Sequence, residues 1–234
     1  MRQPESLQRS RGLAVAAKAD RKPTRIDRLA LWFSKGSTID GLWVGTFESE
    51  PHPALRRVEE ALKLIKRHDT LGYTRVTRDL DRIWVNLLPS AQAHYDRSLN
   101  ACVLDERYVL GDTMTLEKIA STLIHEATHA RLEGWGITYL EARRVPIEAI
   151  CLRRELSFLN KLPDTEALRD EIARTLEWCV AGEDDYFSDV SFRARDEDGQ
   201  IETLRHLNAP DWIIRWMTRL IGRRRKRASV SQGS

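Results

Sequence analysis

Residues 121–134 read STLIHEATHARLEG, and this stretch decides how the whole chain is read. Leu116, Ile119, Ala120, Leu123, Ile124 and Ala127 recur at helical spacing, Thr113 or Thr115 can cap the start, and Gly134 follows the expected end near residue 133. On that helix His125 and His129 lie one turn apart on one face, roughly opposite the middle of the apolar stripe. They are therefore not expected to be core histidines. Two neutral imidazoles one turn apart can reach a single ion, and zinc favours such donors. Glu126 lies about 100° around the helix from His125, which suits a carboxylate that touches a metal-bound water and not the metal. There Glu126 would act as general base on a water whose pKa zinc brings down to about 7. The competing reading is a solvated histidine pair on an outer face.

Outward from this helix, the pattern predicts an α+β fold, mostly helical, with a small β-sheet beside the HEATH helix. Pro51 and Pro53 introduce a helix over about 54–67, with Leu55, Val58, Ala61, Leu62 and Ile65 at helical spacing. Two extended stretches follow, 82–88 closed by Pro89 and 101–110 closed by Gly111-Asp112. Residues 28–47 read as two short elements around a Gly/Ser/Asp turn. Pro146 sits at the start of a helix over about 146–160, and further helices are expected over about 164–180 and 210–222. An acidic loop, AGEDDYFSDVSF, separates those last two. The expected organisation is a flexible basic arm (1–27), a metal-binding domain (28–210), and an amphipathic helix with a basic tail (211–234).

The composition, 41% hydrophobic and 31% charged over 234 residues, is that of a globular chain and excludes wholesale disorder. No run approaches the ~18–20 apolar residues needed to cross a bilayer, and the apolar piece at 12–17 is too short for a secretory leader. Cys102, Cys151 and Cys179 are scattered and odd in number, which points to reduced core thiols and a cytoplasmic address. The net charge of +3 hides an asymmetry: residues 1–28 carry +5 and 211–234 carry +6, leaving −8 for the body. An acidic body disfavours specific nucleic-acid binding, whereas the basic ends suit an anionic surface.

Across about residues 82–160 the chain resembles the HExxH zincin metallopeptidases. The metzincin continuation is absent, because Leu132 and Trp135 stand where its glycine and third histidine would fall. Gluzincins take their third ligand from a glutamate on a later helix. Glu148, 19 residues after His129, has a spacing similar to thermolysin-like enzymes, with Glu141 and Glu155 as rivals. Glu155, two turns beyond Glu148 on one face, could instead hold the second nitrogen of a ligand histidine. The segment RVPIEAICLRREL also resembles one that follows HEATHARL in uncharacterised bacterial HExxH proteins. Two positions depart from the family pattern: Leu152 replaces an acidic residue, and Arg131 stands where a hydrophobic residue is usual.

The resemblance implies a zinc-dependent (Zn2+) peptidase with His125, His129 and Glu148 as ligands and Glu126 as base. Its partner would be a peptide or protein substrate. It also implies a strand beside the active helix that pairs with the substrate backbone, for which residues 101–110 are the best candidate. Tyr139, Tyr186, His206 and several arginines could donate to a developing oxyanion, with no ranking among them, and Tyr186 in the acidic loop reads more simply as a half-buried loop aromatic. His52, His68 and His94 fit no metal spacing and read as surface residues. In the last helix Ile213, Trp216, Met217, Leu220 and Ile221 form an apolar stripe with Arg215 and Arg219 outside it, ahead of RRRKR. This pattern suits either docking on the domain or a peripheral association with an anionic membrane. The alternative to the enzyme is a non-catalytic zinc-binding or membrane-surface protein on the same scaffold.

Overall fold

A computed structural model describes residues 23, 25–47, 52–89, 91–181 and 185–231. The basic arm expected over 1–27 lies almost wholly outside them. The fold is α+β, as the pattern predicts. A helix α1 (Arg25–Phe33) leads into a hairpin of β1 (Lys35–Ile39) and β2 (Leu42–Thr46). The two hairpin strands are joined by Asp40 and Gly41, both at positive φ (48° and 89°), the conformation that a tight two-residue hairpin turn needs. Helices α2 (Pro53–His68) and α3 (Thr70–Asp79) then cross over to β3 (Arg82–Asn86), which pairs parallel to β2.

Two further strands, β4 (Ala93–Asp96) and β5 (Ala101–Asp105), complete a five-stranded sheet in the order β1-β2-β3-β5-β4. β5 is inserted between β3 and β4, parallel to the former and antiparallel to the latter. Its side chains are buried on both faces, Cys102 and Leu104 toward the main core, Ala101 and Val103 toward Trp84, Leu88 and Leu99. The expected strand over 101–110 is thus half right. Asp105 accepts from the N–H groups of Arg107 and Tyr108 and caps a short helix α4 (Glu106–Leu110), so the extended chain ends there.

The HEATH helix is α5 (Leu116–Gly134), with Thr115 accepting from the Lys118 N–H at 3.2 Å. It packs against α2 and α3 on one side and against α6 (Arg144–Leu159) on another. α7 (Glu166–Ala181) covers α6, followed by α8 (Asp189–His206) and α9 (Asp211–Ser231). The patterns of α3 and α8 do not announce helices. TLGYTRVTRD carries a glycine and three threonines, poor helix formers, and is held by burial of Tyr73 and Val76. The last four residues of the expected acidic loop, 189–192, begin α8, whose only buried residues are Glu197 and Gly199.

The main core joins the sheet to α2, α3 and α5. Leu123 lies wholly inside it and anchors the helix that carries the histidines. Leu123→Ala is expected to lower stability by about 2–5 kcal/mol, read from the urea midpoint at unchanged m.

Candidate metal centre

The local sequence of α5 sets the first two donors. His125 and His129 project from one face, and their Nε2 atoms lie 3.1 Å apart. This face is not solvated. α6 crosses it, and both imidazoles are mostly covered, with side-chain exposures of 15% and 12%. The apolar stripe of α5 does face the core, but its opposite side is closed by a second helix.

α6 brings Glu148 to both rings. Its Oε2 is 3.2 Å from His125 Nε2, and its Oε1 is 3.5 Å from His129 Nε2. Metal–ligand distances of ~2.0–2.2 Å in a tetrahedron require donor–donor edges of roughly 3.3–3.6 Å. The 3.5 Å contact falls within that range and the 3.1 and 3.2 Å contacts just short of it, so the two imidazole nitrogens and the Glu148 carboxylate, which uses a different oxygen toward each ring, need only a small outward shift to hold zinc. Glu155, two turns along, receives the other nitrogen of His125, with Nδ1 and Oε1 2.6 Å apart. That contact orients the imidazole with Nε2 toward Glu148 and His129. Glu141 is not part of the cluster. It turns to the start of α8 and accepts from the Asp189 N–H at 2.9 Å.

Cys151 is the residue that the sequence reading assigned to the core and that the fold also brings to this place. A ring nitrogen of His125 and one of His129 lie within 4.8 Å of its sulfur. It packs with Leu132 and Ile147, and burial pushes its thiol above the ordinary range, so a neutral apolar role fits it. Glu148 is ionised: burial opposes its charge, but hydrogen bonds from His125 and Tyr139 and the charges of the histidines bring it down to about 2. Of the two, Glu148 has the charge a cation needs.

Glu126 is 6% exposed, on the flank of α5 that meets β4. Burial raises its carboxyl to about 7, with Glu148 and Glu155 adding to the effect, while the nearby His125 and a hydrogen bond from the Tyr95 backbone N–H oppose it. A buried carboxyl near neutrality can both take and return a proton.

These groups open onto a cleft of about 880 Å³. The HEATH face forms its floor, β4 with His94 and Tyr95 forms one wall, and Tyr139, Tyr186, Phe192 and Arg195 form the other. The edge strand at the cleft is β4, not 101–110, because β5 is flanked on both sides. Tyr139 reaches its place through the end of α5. Gly136 adopts φ 80°, its N–H bonds Glu133 O at 2.9 Å, and the Ile137 N–H bonds Leu132 O at 2.9 Å, a Schellman ending that turns the chain back. The Tyr139 hydroxyl then donates to Glu148 Oε1, and its ring stands edge-on to His129 at 5.2 Å between centroids. Tyr186 lines the outer cleft, where the Arg195 guanidinium lies 3.7 Å from its ring centroid. His206 is not among the lining residues. His94 is an exposed residue, as expected, that lines the cleft, whereas His52 is buried with Nε2 3.4 Å from Glu106 and is not the surface residue expected.

The chain matches no protein-family model, no curated protein and no solved structure.

Burial disfavours a charged His125, but its bonds to Glu148 and Glu155 prevail and hold its pKa well above the ordinary histidine value. The stabilisation is full below the unfolded pKa and fades as pH rises through the raised folded one. A proton on His125 Nε2 and a metal compete for the same nitrogen, and the raised pKa favours the proton. Zinc titrated calorimetrically in buffers of different ionisation enthalpy should release about one proton, with affinity rising as pH rises. Glu155→Gln should weaken zinc about 10–100-fold and reduce that proton release.

Proposed function

We propose that this protein is a zinc-dependent metallopeptidase of the gluzincin-like HExxH kind, with zinc held by His125, His129 and Glu148. The observation that carries this reading is the spacing of those three donors beside the buried carboxyl of Glu126. Zinc bound there supplies a Lewis acid that lowers the pKa of a water to about 7. Glu126 takes the proton of the attacking water and returns it to the leaving amine, a double role suited to its near-neutral pKa. An extended peptide lies along β4, whose outer edge has no strand partner among the described residues and can add one strand. Tyr139 gives up its bond to Glu148 to donate toward the oxyanion, a role for which it is better placed than Tyr186.

The full chain, purified with zinc and without chelators, should hold about one zinc and cleave unfolded proteins or a peptide library, and chelation should abolish the cleavage. Glu126→Gln should keep its zinc and lose hydrolysis by roughly 10²–10⁴-fold. Zinc should be lost in Glu148→Ala and kept in Cys151→Ala. Full activity in Glu126→Gln, or zinc retained in Glu148→Ala but lost in Cys151→Ala, would overturn the corresponding assignment.

A second reading, attachment to an anionic membrane surface, is favoured by one observation on α9. Ile221 is buried and Arg225 bonds Glu197 and Asp198 of α8, so the later part of the helix is docked. Trp212 and Trp216, one turn apart, are 65% and 58% exposed, with Arg215, Arg219, Arg223 and Arg224 also exposed. Trp216 therefore lies outside the inward stripe predicted for it. No helix among the described residues is long and apolar enough to cross a membrane, so this contact would be interfacial. Flotation with phosphatidylserine vesicles at low salt, lost in a Trp212→Ala/Trp216→Ala double variant, is the expected result. Equal flotation of that variant would refute it.

A further inference from the structure

On the side of α5 away from the histidine cleft, a smaller pocket of about 180 Å³ lies between α3, α5 and α6. Four cations line it: Arg75 from α3, Arg131 from α5, Arg154 from α6, and Lys161 just beyond α6. Its two carboxylates are already engaged. Asp69 accepts from the Gly72 N–H at 2.9 Å and pairs with Lys161 at 2.8 Å. Asp79 forms a two-point pair with Arg78 at 2.7 and 2.8 Å.

Two of the arginines keep buried donors without acceptors. Arg75 Nε and Arg131 Nε and Nη1 are buried and have no hydrogen-bond partner. Arg131 Nη1 comes no nearer than 4.0 Å to Asp79 Oδ2, too long for a hydrogen bond, and its guanidinium lies over the Trp135 ring at 4.6 Å. Leaving such groups unsatisfied is costly, and like charges that converge in a partly buried pocket repel. Burial, together with the charges of Arg131 and Arg154, lowers the Arg75 pKa, which registers the same frustration.

We propose that this pocket binds a phosphate group, with Arg75 and Arg131 as its principal donors and Arg154 at its mouth. Guanidinium forks match phosphate oxygens with paired, charge-assisted bonds. Donors that arrive from three different helices suit a tetrahedral anion better than a planar carboxylate. This use of Arg131 also accounts for a charged side chain two residues after His129, where the histidine face has no need of it. The pocket shares no lining residue with the histidine cleft, so the inference does not depend on a metal.

The test uses the full chain in excess chelator, which makes it blind to the zinc reading. Inorganic phosphate and glycerol phosphate are each titrated by calorimetry and by thermal unfolding, with chloride holding ionic strength constant. A saturable rise in Tm is expected for at least one of them. Arg75→Gln and Arg131→Gln should each weaken binding about tenfold or more, while the exposed Arg56→Gln on α2 should leave it unchanged. Thermal unfolding without phosphate shows that each variant is folded, and Arg154→Gln at the exposed rim serves if either buried variant is not. Tighter binding of glycerol phosphate would assign the site to a phosphomonoester, and tighter binding of inorganic phosphate to the free ion. The absence of any saturable effect beyond chloride, or equal binding by the parent and the folded arginine variants, would overturn the proposal.

Discussion

One imidazole held between two carboxylates governs how the molecule's central helices meet. His125 touches Glu148 with one nitrogen and Glu155 with the other, so two positions of α6 are fixed against one position of α5. Glu148 and Glu155 are separated by two helical turns, and a slip of one turn between the helices would break both contacts together. Taking these charges out of water is unfavourable unless each finds its partner. The arrangement is thus a poor source of stability and a strong source of registry. The geometry of the cleft depends on that registry, including the approach of Glu148 to His129 and the burial of Glu126.

The surroundings of this contact divide into rigid support and adjustable wall. The sheet and α2 hold α5 from behind through a continuous apolar core, with Leu123 and Ile119 fully buried. The front wall is built from residues that follow the Schellman ending of α5, where Gly136 reverses the chain and sends Tyr139 over the histidines. β4 closes the other side, and Arg97, just past it, pairs with Glu133 near the end of α5 at 2.8 Å. A strand edge, a pair of imidazoles and a near-neutral carboxyl therefore share one cleft, the combination on which the peptidase reading rests.

The pair α5 and α6 presents two chemically opposite faces. Toward the cleft it gathers imidazoles and carboxylates that suit a cation. Toward α3 it gathers guanidinium groups whose buried N–H donors suit an anion. Neighbouring residues serve opposite sides: Arg131 lies two positions after His129, and Arg154 directly precedes Glu155. Helical periodicity alone accounts for this division, since residues one or two apart on a helix do not share a face.

Local periodicity explains what could be read from the chain. The pairing of His125 with His129 is an i, i+4 relation that any helix enforces, and the role of Glu155 toward a histidine nitrogen follows from its sharing a face with Glu148. Glu148 itself was legible only as one of three spaced carboxylates; that Glu141 instead caps α8 is a fact of tertiary packing. The edge strand was misplaced for a physical reason. Residues 101–105 carry the stronger strand composition because β5 is buried on both faces, whereas the true edge, AHYD, is short and polar. Cys151, Tyr139 and the arginine pocket carry no local pattern, since their meaning lies in residues far away along the chain. The sequence by itself determined the helices with strong apolar periodicity, α2, α5 and α6 among them, and the spacing of the donors on them, because those depend on neighbours within a turn or two. Only the tertiary structure decided which carboxylate meets the imidazoles, which strand borders the cleft and which charges are left without partners, because those depend on how α5 and α6 cross.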